Sequence, residues 1–95
     1  MLKIGAACGS GLGSSFMVEM NIQTILKKLG HDDEVKVDHF DLGSASNEAA
    51  DVWVIAKDLE DSAKHLNDVR VLNSIIDMDE LEVVIKQILE DKNIT

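Results

Sequence analysis

Apolar residues along the chain recur with two different periods, which predict alternating strands and helices. Residues 2–7 (LKIGAA) form a short, largely apolar run that predicts a buried strand, and the glycine-rich stretch after it ends that strand. Between Ser14 and Leu29 apolar residues recur every three or four positions, which predicts a helix that stops at Gly30. Its apolar stripe consists of Val18, Ile22, Ile25, Leu26 and Leu29.

Three later segments have the composition of strands. Residues 34–40 (EVKVDHF) alternate between two unlike faces, which is typical of an edge strand. Residues 51–56 (DVWVIA) are apolar and rich in β-branched side chains after Asp51, as expected of a central strand covered on both faces. Residues 69–72 (VRVL) predict the fourth strand, and Trp53 is interpreted as a packing residue of the third.

Two aspartates mark predicted helix starts in the second half of the chain. Asp58 is expected to cap a short helix that turns Leu59, Ala63 and Leu66 inward. Asp77 and Glu80 have the spacing of a capping box and predict the start of a closing helix. The apolar stripe of that helix consists of Leu81, Val84, Ile85, Ile88 and Leu89.

Strands that alternate with helices predict one α/β domain over residues 1–95. We expect three layers, with a four-stranded parallel sheet in the order 2-1-3-4 flanked by helices. Ligands of such domains bind outside the carboxyl ends of the strands, commonly at the turn after the first strand. The first turn of this chain is therefore the candidate site.

Charge and composition exclude several classes of function. With 18 acidic and nine basic side chains the net charge is -9, whereas nucleic-acid binding needs a basic face. The longest apolar run, VWVIA, is far shorter than the roughly 18 residues of a membrane-spanning helix, so no direct membrane insertion is expected. One cysteine cannot form an internal disulfide, and no Cys/His spacing suggests a metal site. We therefore expect a cytoplasmic protein without metal or cofactor.

The predicted first turn, residues 6–15 (AACGSGLGSS), contains the chain's one cysteine and three alternating glycines. Glycine removes Cβ obstruction and allows positive φ, so successive backbone N–H groups can converge on one anion at a helix amino terminus. The same setting favours a thiolate at Cys8, which is then a nucleophile. Residues 1–31 hold three basic side chains and one acidic side chain, whereas residues 32–95 hold six basic and 17 acidic side chains. The turn therefore lies in the less acidic part of the chain.

Three known phosphate loops do not fit this turn. A P-loop needs Gly-Lys-Ser/Thr, but Ser14 follows Gly13 directly. A dinucleotide fingerprint needs a third glycine where Ser14 stands, and 95 residues cannot supply both mononucleotide halves. A cysteine phosphatase needs an arginine six residues after the cysteine, and that position is again Ser14. A thiolate that accepts a phosphoryl group without hydrolysing it suits a carrier.

The pattern Cys-Gly-x-Gly-x-Gly-Ser-Ser after a short strand resembles the IIB components of the bacterial sugar phosphotransferase system (PTS), specifically the L-ascorbate type. The galactitol type is the nearest alternative, and lactose/cellobiose-like IIB components are further relatives. The resemblance implies a cytoplasmic carrier whose Cys8 takes a phosphoryl group from a phosphohistidine of the IIA component. It also implies delivery to a sugar bound by the IIC membrane permease. The implied phosphate-binding residues are Gly9, Ser10, Gly11, Leu12, Gly13, Ser14 and Ser15.

Two other functions share this loop. One is a small cysteine-dependent phosphatase or arsenate-reductase-like enzyme, although the arginine and a second cysteine are both missing. The other is a non-enzymatic phosphate- or nucleotide-binding module. Beside the loop, His39 is interpreted as a strand histidine with a structural partner and Asp41 as a turn former. Phe16, Met17 and Met20 are either core residues or an apolar docking rim.

Overall fold

The computed structural model describes residues 2–8 and 13–94, with the side chains of these residues except at positions 8, 13–15 and 42. Its elements are β1 (Leu2–Cys8), α1 (Gly13–Leu29), β2 (Val35–Asp41), the 3-10 helix η1 (Leu42–Ser44), β3 (Val52–Ala56), the 3-10 helix η2 (Lys57–Ala63), β4 (Val69–Leu72) and α2 (Met78–Asp91). Within the described ranges, neither α-helix combines the length and the hydropathy needed to cross a bilayer.

The four strands form one parallel sheet in the order β2-β1-β3-β4, which confirms the predicted fold class and strand order. β2 is an edge strand and β3 is buried from Val52 to Ile55, as their sequence patterns predict. The chain runs from β1 outward to β2 and then back across β1 to β3. The switch point of the sheet therefore lies at the carboxyl ends of β1 and β3, where ligands of this fold class bind.

The two faces of the sheet are covered differently. Ile4 and Ala6 of β1 pack with the apolar stripes of α1 and α2 in one core cluster. Ala7, Trp53 and Ile55 lie in the second cluster, which is completed by residues in and around η1 and η2: Ala45, Ala50, Ala63 and Leu66. One face thus lies under two α-helices, and the other lies under short turns.

The predicted cap at Asp58 is wrong. The segment is a 3-10 helix that begins at Lys57, and its N-cap position, two residues before Asp58, is Ala56, which makes no side-chain cap. Asp58 therefore lies inside the first turn. Ala63 and Leu66 are buried as predicted, whereas Leu59 is only half-buried.

The predicted cap at Asp77 is confirmed, but the capping box is only half formed. The Asp77 side chain accepts a hydrogen bond from the Glu80 backbone N–H at 3.1 Å and starts α2. The Glu80 carboxylate does not return to Asp77. It accepts hydrogen bonds from the N–H groups of Asn73 and Ser74, at 2.9 and 3.0 Å, and so binds the β4–α2 loop.

Candidate functional site

The candidate site lies where β1 ends and α1 begins. Cys8 is the last residue of β1, and its backbone pairs with Asp41, the last residue of β2. α1 begins at Gly13, so the backbone of Cys8 and the first turn of α1 border the same short connection. Four of the predicted phosphate-binding residues, Gly9, Ser10, Gly11 and Leu12, lie outside the described residues, as do the side chains of Cys8, Ser14 and Ser15.

The helix that follows this connection has a favourable charge distribution for an anion. The first four N–H groups of an α-helix have no intrahelical acceptor and carry the positive end of the helix dipole. No acidic residue lies in the first turn of α1, and Lys27 and Lys28 lie in its last turn. The N–H groups at the start of α1 therefore have no side-chain carboxylate of their own turn beside them.

Asp41 shapes the neighbouring rim, as the sequence interpretation holds. Its carboxylate accepts hydrogen bonds from the Ser44 N–H at 2.9 Å and from the Ser44 hydroxyl at 3.2 Å. A Cβ at Gly43 would lie 3.1 Å from the Asp41 carboxylate, so the turn fits glycine best there. Asp41 thus turns the chain away from the sheet directly beside the backbone of Cys8.

A carboxylate–histidine pair lies beneath the site. Nδ1 of His39 is 2.6 Å from Oε1 of Glu19, and Glu19 is only 9% exposed. The ring of Phe16 meets the His39 ring edge-on, with 5.2 Å between centroids. On β2, His39 pairs with Ala6, two residues before Cys8. The interpretation of His39 as a strand histidine with a structural partner is confirmed.

The sequence interpretation missed Glu19 as that partner. A usable signal was present, because Glu19 lies three residues before Ile22 and seven before Leu26, on the stripe that turns α1 toward the sheet. A carboxylate at an inward position needs a partner, and a half-buried histidine supplies one. Three apolar residues near the start of α1 were predicted to be either core residues or an apolar docking rim. Phe16 and Met20 are exposed, whereas Met17 is half-buried.

A comparison against known protein families shows which family the chain belongs to. No curated protein matches the chain significantly. The model of the PTS lactose/cellobiose-specific IIB subunit family matches residues 3–87, which include the four strands except Leu2, all of α1 and most of α2. IIB subunits are phosphotransferase components of sugar transport that work with IIA and IIC partners. With a match over nearly its whole length, a sheet in the expected order and the one cysteine at the end of the first strand, this chain belongs to the IIB family of the phosphotransferase system.

Proposed function

We propose that this chain is a cytoplasmic phosphoryl carrier in which Cys8 is the residue that becomes phosphorylated. The supporting observation is the position of Cys8 as the last residue of β1, directly before the glycine-rich stretch and α1, in a chain that matches the IIB family over residues 3–87. The donor is a phosphohistidine of the IIA component. The acceptor is a hydroxyl of a sugar bound by the IIC permease.

The transfer consists of two in-line displacements at phosphorus. In the first, the Cys8 thiolate attacks the phosphoryl group of IIA, the S–P bond forms, and the N–P bond breaks. The histidine nitrogen leaves with the bonding electrons and takes up a proton. In the second, the sugar hydroxyl oxygen attacks, the S–P bond breaks, and the thiolate is regenerated while the hydroxyl proton passes to a base. Neither step oxidises or reduces a group, so a single cysteine is sufficient.

The protein's contribution to both steps is positioning and stabilisation of charge on the equatorial oxygens. The backbone N–H groups of residues 9–15 are the proposed donors, with a hydroxyl from Ser14 or Ser15. The absence of an acidic side chain in the first turn of α1 supports this assignment, because a carboxylate there would repel the incoming phosphoryl group.

The proposed sugar is L-ascorbate or a related carbohydrate, on the basis of the Cys-Gly-x-Gly-x-Gly-Ser-Ser stretch from Cys8 to Ser15. A second candidate is a disaccharide such as lactose or cellobiose, because the matching family model carries that description. The two candidate sugars are separated by adding each one to the phosphorylated protein and to vesicles that contain the IIC component encoded with it. The measurement is the loss of the phosphoryl group from the protein that each sugar causes. Turnover with ascorbate and none with either disaccharide supports the first assignment, and the reverse result supports the second.

The phosphocysteine is tested by intact mass. The wild-type protein mixed with a phosphorylated IIA component is expected to gain one phosphoryl group, and Cys8→Ser is expected to gain none. If the wild type gains no mass while IIA stays phosphorylated, the carrier proposal is wrong. Hydrolysis of an aryl phosphate would instead favour the phosphatase hypothesis, and binding of phosphate by a wild-type protein that gains no mass from phosphorylated IIA would favour a binding module.

The backbone cradle is tested by Gly11→Val. A β-branched side chain in the middle of the glycine-rich stretch should block close approach of the phosphoryl oxygens. The rate of Cys8 phosphorylation should therefore fall strongly while the circular dichroism spectrum stays that of the wild type. An unchanged rate would show that these backbone N–H groups do not bind the phosphoryl group.

A further inference from the structure

A groove opens at the carboxyl ends of β3 and β4, on the same edge of the sheet as Cys8. It has a volume of about 750 Å³ and lies between the start of η2 and the loop that joins β4 to α2. Its lining residues are Ala56, Lys57, Asp58, Asn73, Ser74, Ile75 and Ile76. Three of these residues, Ala56, Ile75 and Ile76, are apolar, and most of the exposed surface of the groove is apolar. None of the functions assigned above uses it.

The loop on one side of the groove is held in a fixed shape. Glu80 accepts hydrogen bonds from the backbone N–H groups of Asn73 and Ser74 and from Nδ2 of Asn73, all at 2.9 to 3.0 Å. The next residue, Ile75, packs against the core under α1 and α2. These contacts on both sides order the loop before any partner arrives, which lowers the entropy cost of docking.

The same loop presents apolar surface inside an acidic rim. Ile76 is 73% exposed and Met78 is 40% exposed, although both are large apolar side chains. The exposed charged side chains around them are three acidic residues, Asp58, Asp77 and Asp79, and one basic residue, Lys57. An apolar centre with an acidic rim suits a protein partner whose contact segment is apolar and flanked by lysine or arginine.

The groove is within reach of Cys8. β1 and β3 are hydrogen-bonded neighbours, with Ala7 opposite Ile55. The next residue of β3, Ala56, lines the groove, and the next residue of β1 is Cys8. Since adjacent strands lie about 4.8 Å apart, the backbone of Cys8 is about one strand spacing from the groove. A partner docked there can therefore bring its acceptor to the site.

We infer that this groove is the docking surface for the cytoplasmic face of the membrane-embedded IIC component, an inference that rests on the proposed carrier function. Cytoplasmic loops of membrane proteins carry an excess of lysine and arginine, so the sign of their charge is opposite to that of the acidic rim. The anionic inner leaflet would repel the same rim, which restricts binding to the protein loops. The groove thus selects the permease and avoids the lipid around it.

The test is co-sedimentation of the unphosphorylated protein with lipid vesicles containing the IIC component encoded with it. The groove variants are Ile76→Ser and the double charge reversal Asp58→Lys/Asp79→Lys. The matched control is Asp32→Lys/Asp33→Lys, which makes the same change in net charge before β2, at the opposite end of the sheet. All of the substituted residues are exposed, and circular dichroism verifies that each variant folds.

The wild type and the control variant are expected to sediment with IIC vesicles but not with IIC-free vesicles, and both groove variants should bind about tenfold more weakly or worse. Binding should also weaken with rising salt. Wild-type binding that both groove variants retain would overturn the inference, as would binding to IIC-free vesicles or no wild-type binding at all. An equal loss of binding in the control variant would also overturn the inference, because binding would then depend on the overall negative charge of the protein and not on this groove.

Phosphorylation of Cys8 by IIA, measured by intact mass on the same variants, separates this inference from the carrier proposal. Groove variants are expected to accept the phosphoryl group from IIA at the wild-type rate. If they accept it more slowly to the same degree that they lose IIC binding, the groove is a shared or IIA surface and the inference fails. If the wild type accepts no phosphoryl group yet binds IIC through the groove, the carrier proposal fails and the docking surface stands.

Discussion

The side chains of Glu19 and His39 meet at 2.6 Å, although 20 residues separate them along the chain. Glu19 comes from α1 and His39 from β2, so this hydrogen bond joins the helix that follows the candidate site to the strand beside it. Among the residues that the structure describes, Glu19 is the only buried one with a charged side chain. The pair therefore fixes how the first half of α1 sits on the sheet.

Removal of the histidine should be costly for this reason. In His39→Ala the buried Glu19 carboxylate loses its partner, and the free energy of unfolding is expected to fall by about 2 kcal/mol. Urea unfolding at pH 7 measures the loss. The double variant Glu19→Met/His39→Ala leaves no buried charge and should recover part of it. A double variant less stable than His39→Ala would contradict this account.

Gly5 and Trp53 are direct neighbours on β1 and β3, and their contact leaves no room for a side chain at position 5. A Cβ at Gly5 would lie 2.5 Å from Cζ3 of the Trp53 ring, which is only 1% exposed. Gly5→Ala is therefore expected to reduce the free energy of unfolding by about 1–3 kcal/mol. The expected cause, contact of the new Cβ with the Trp53 ring, is tested by comparing the free energies of unfolding of Trp53→Leu and Gly5→Ala/Trp53→Leu. If Gly5→Ala costs as much in the Trp53→Leu background as in the wild type, the ring is not the obstacle.

Arg70 links β4 to the end of α2 through two carboxylates. It contacts Asp68 and Asp91, each at 2.8 Å, and Lys92 lies 2.9 Å from Asp68. The hydrogen bond from Arg70 is the main cause that lowers the pKa of Asp68 and of Asp91 below the ordinary value. These carboxylates therefore stabilise the fold above their unfolded pKa of about 3.9, and the contribution is lost as the pH falls through the folded pKa.

The prediction is a decrease in the free energy of unfolding below about pH 4 that is shallower in Arg70→Gln than in the wild type. Urea unfolding between about pH 2 and 7 measures both slopes. Lys64→Gln is the control, since Lys64 pairs with Asp61 where both side chains are at least 79% exposed. Equal slopes for the wild type and Arg70→Gln would exclude this cluster as a source of acid sensitivity.

Glu80 controls the order of the β4–α2 loop. The backbone N–H groups of Asn73 and then Ser74 are the main causes that lower the pKa of its carboxyl. In Glu80→Ala both N–H groups lose their acceptor, so their amide hydrogens are expected to exchange faster with solvent. NMR-detected exchange measures this directly. Glu82→Ala is the control, because Glu82 pairs with Lys28 and Lys86 and contacts neither amide. Unchanged exchange in Glu80→Ala would show that the loop is ordered by other contacts.

Local patterns were sufficient to predict most of the fold. The β-branched run at residues 52–56 predicts a central strand because only burial on both faces accommodates it, and the alternation at 34–40 predicts an edge. Asp77 predicts the start of α2 because its cap reaches only three residues along the chain. Such features depend on neighbours in sequence, so they can be read without knowing the tertiary structure.

The features that sequence reasoning missed depend on packing between distant segments. Glu80 has the spacing to complete a capping box, yet its carboxylate binds a loop that only the packing of α2 brings near. Glu19 meets His39 because α1 lies across β2. At Asp58 local propensity was overridden, since the chain forms a tighter 3-10 helix whose N-cap, Ala56, lies two residues earlier. The role of Cys8 stays a prediction that the proposed mass measurement tests.

Because the two faces of the sheet are covered differently, the fluorescence of Trp53 reports on one face alone. Trp53 is the chain's one tryptophan, it lies beneath the short turns and not beneath the α-helices, and its Nε1 has no hydrogen-bond partner among the described residues. Entry of water under those turns would both hydrate the indole and satisfy that nitrogen. A red shift of fluorescence that precedes the loss of helical ellipticity would therefore reveal a breathing motion confined to one side of the sheet.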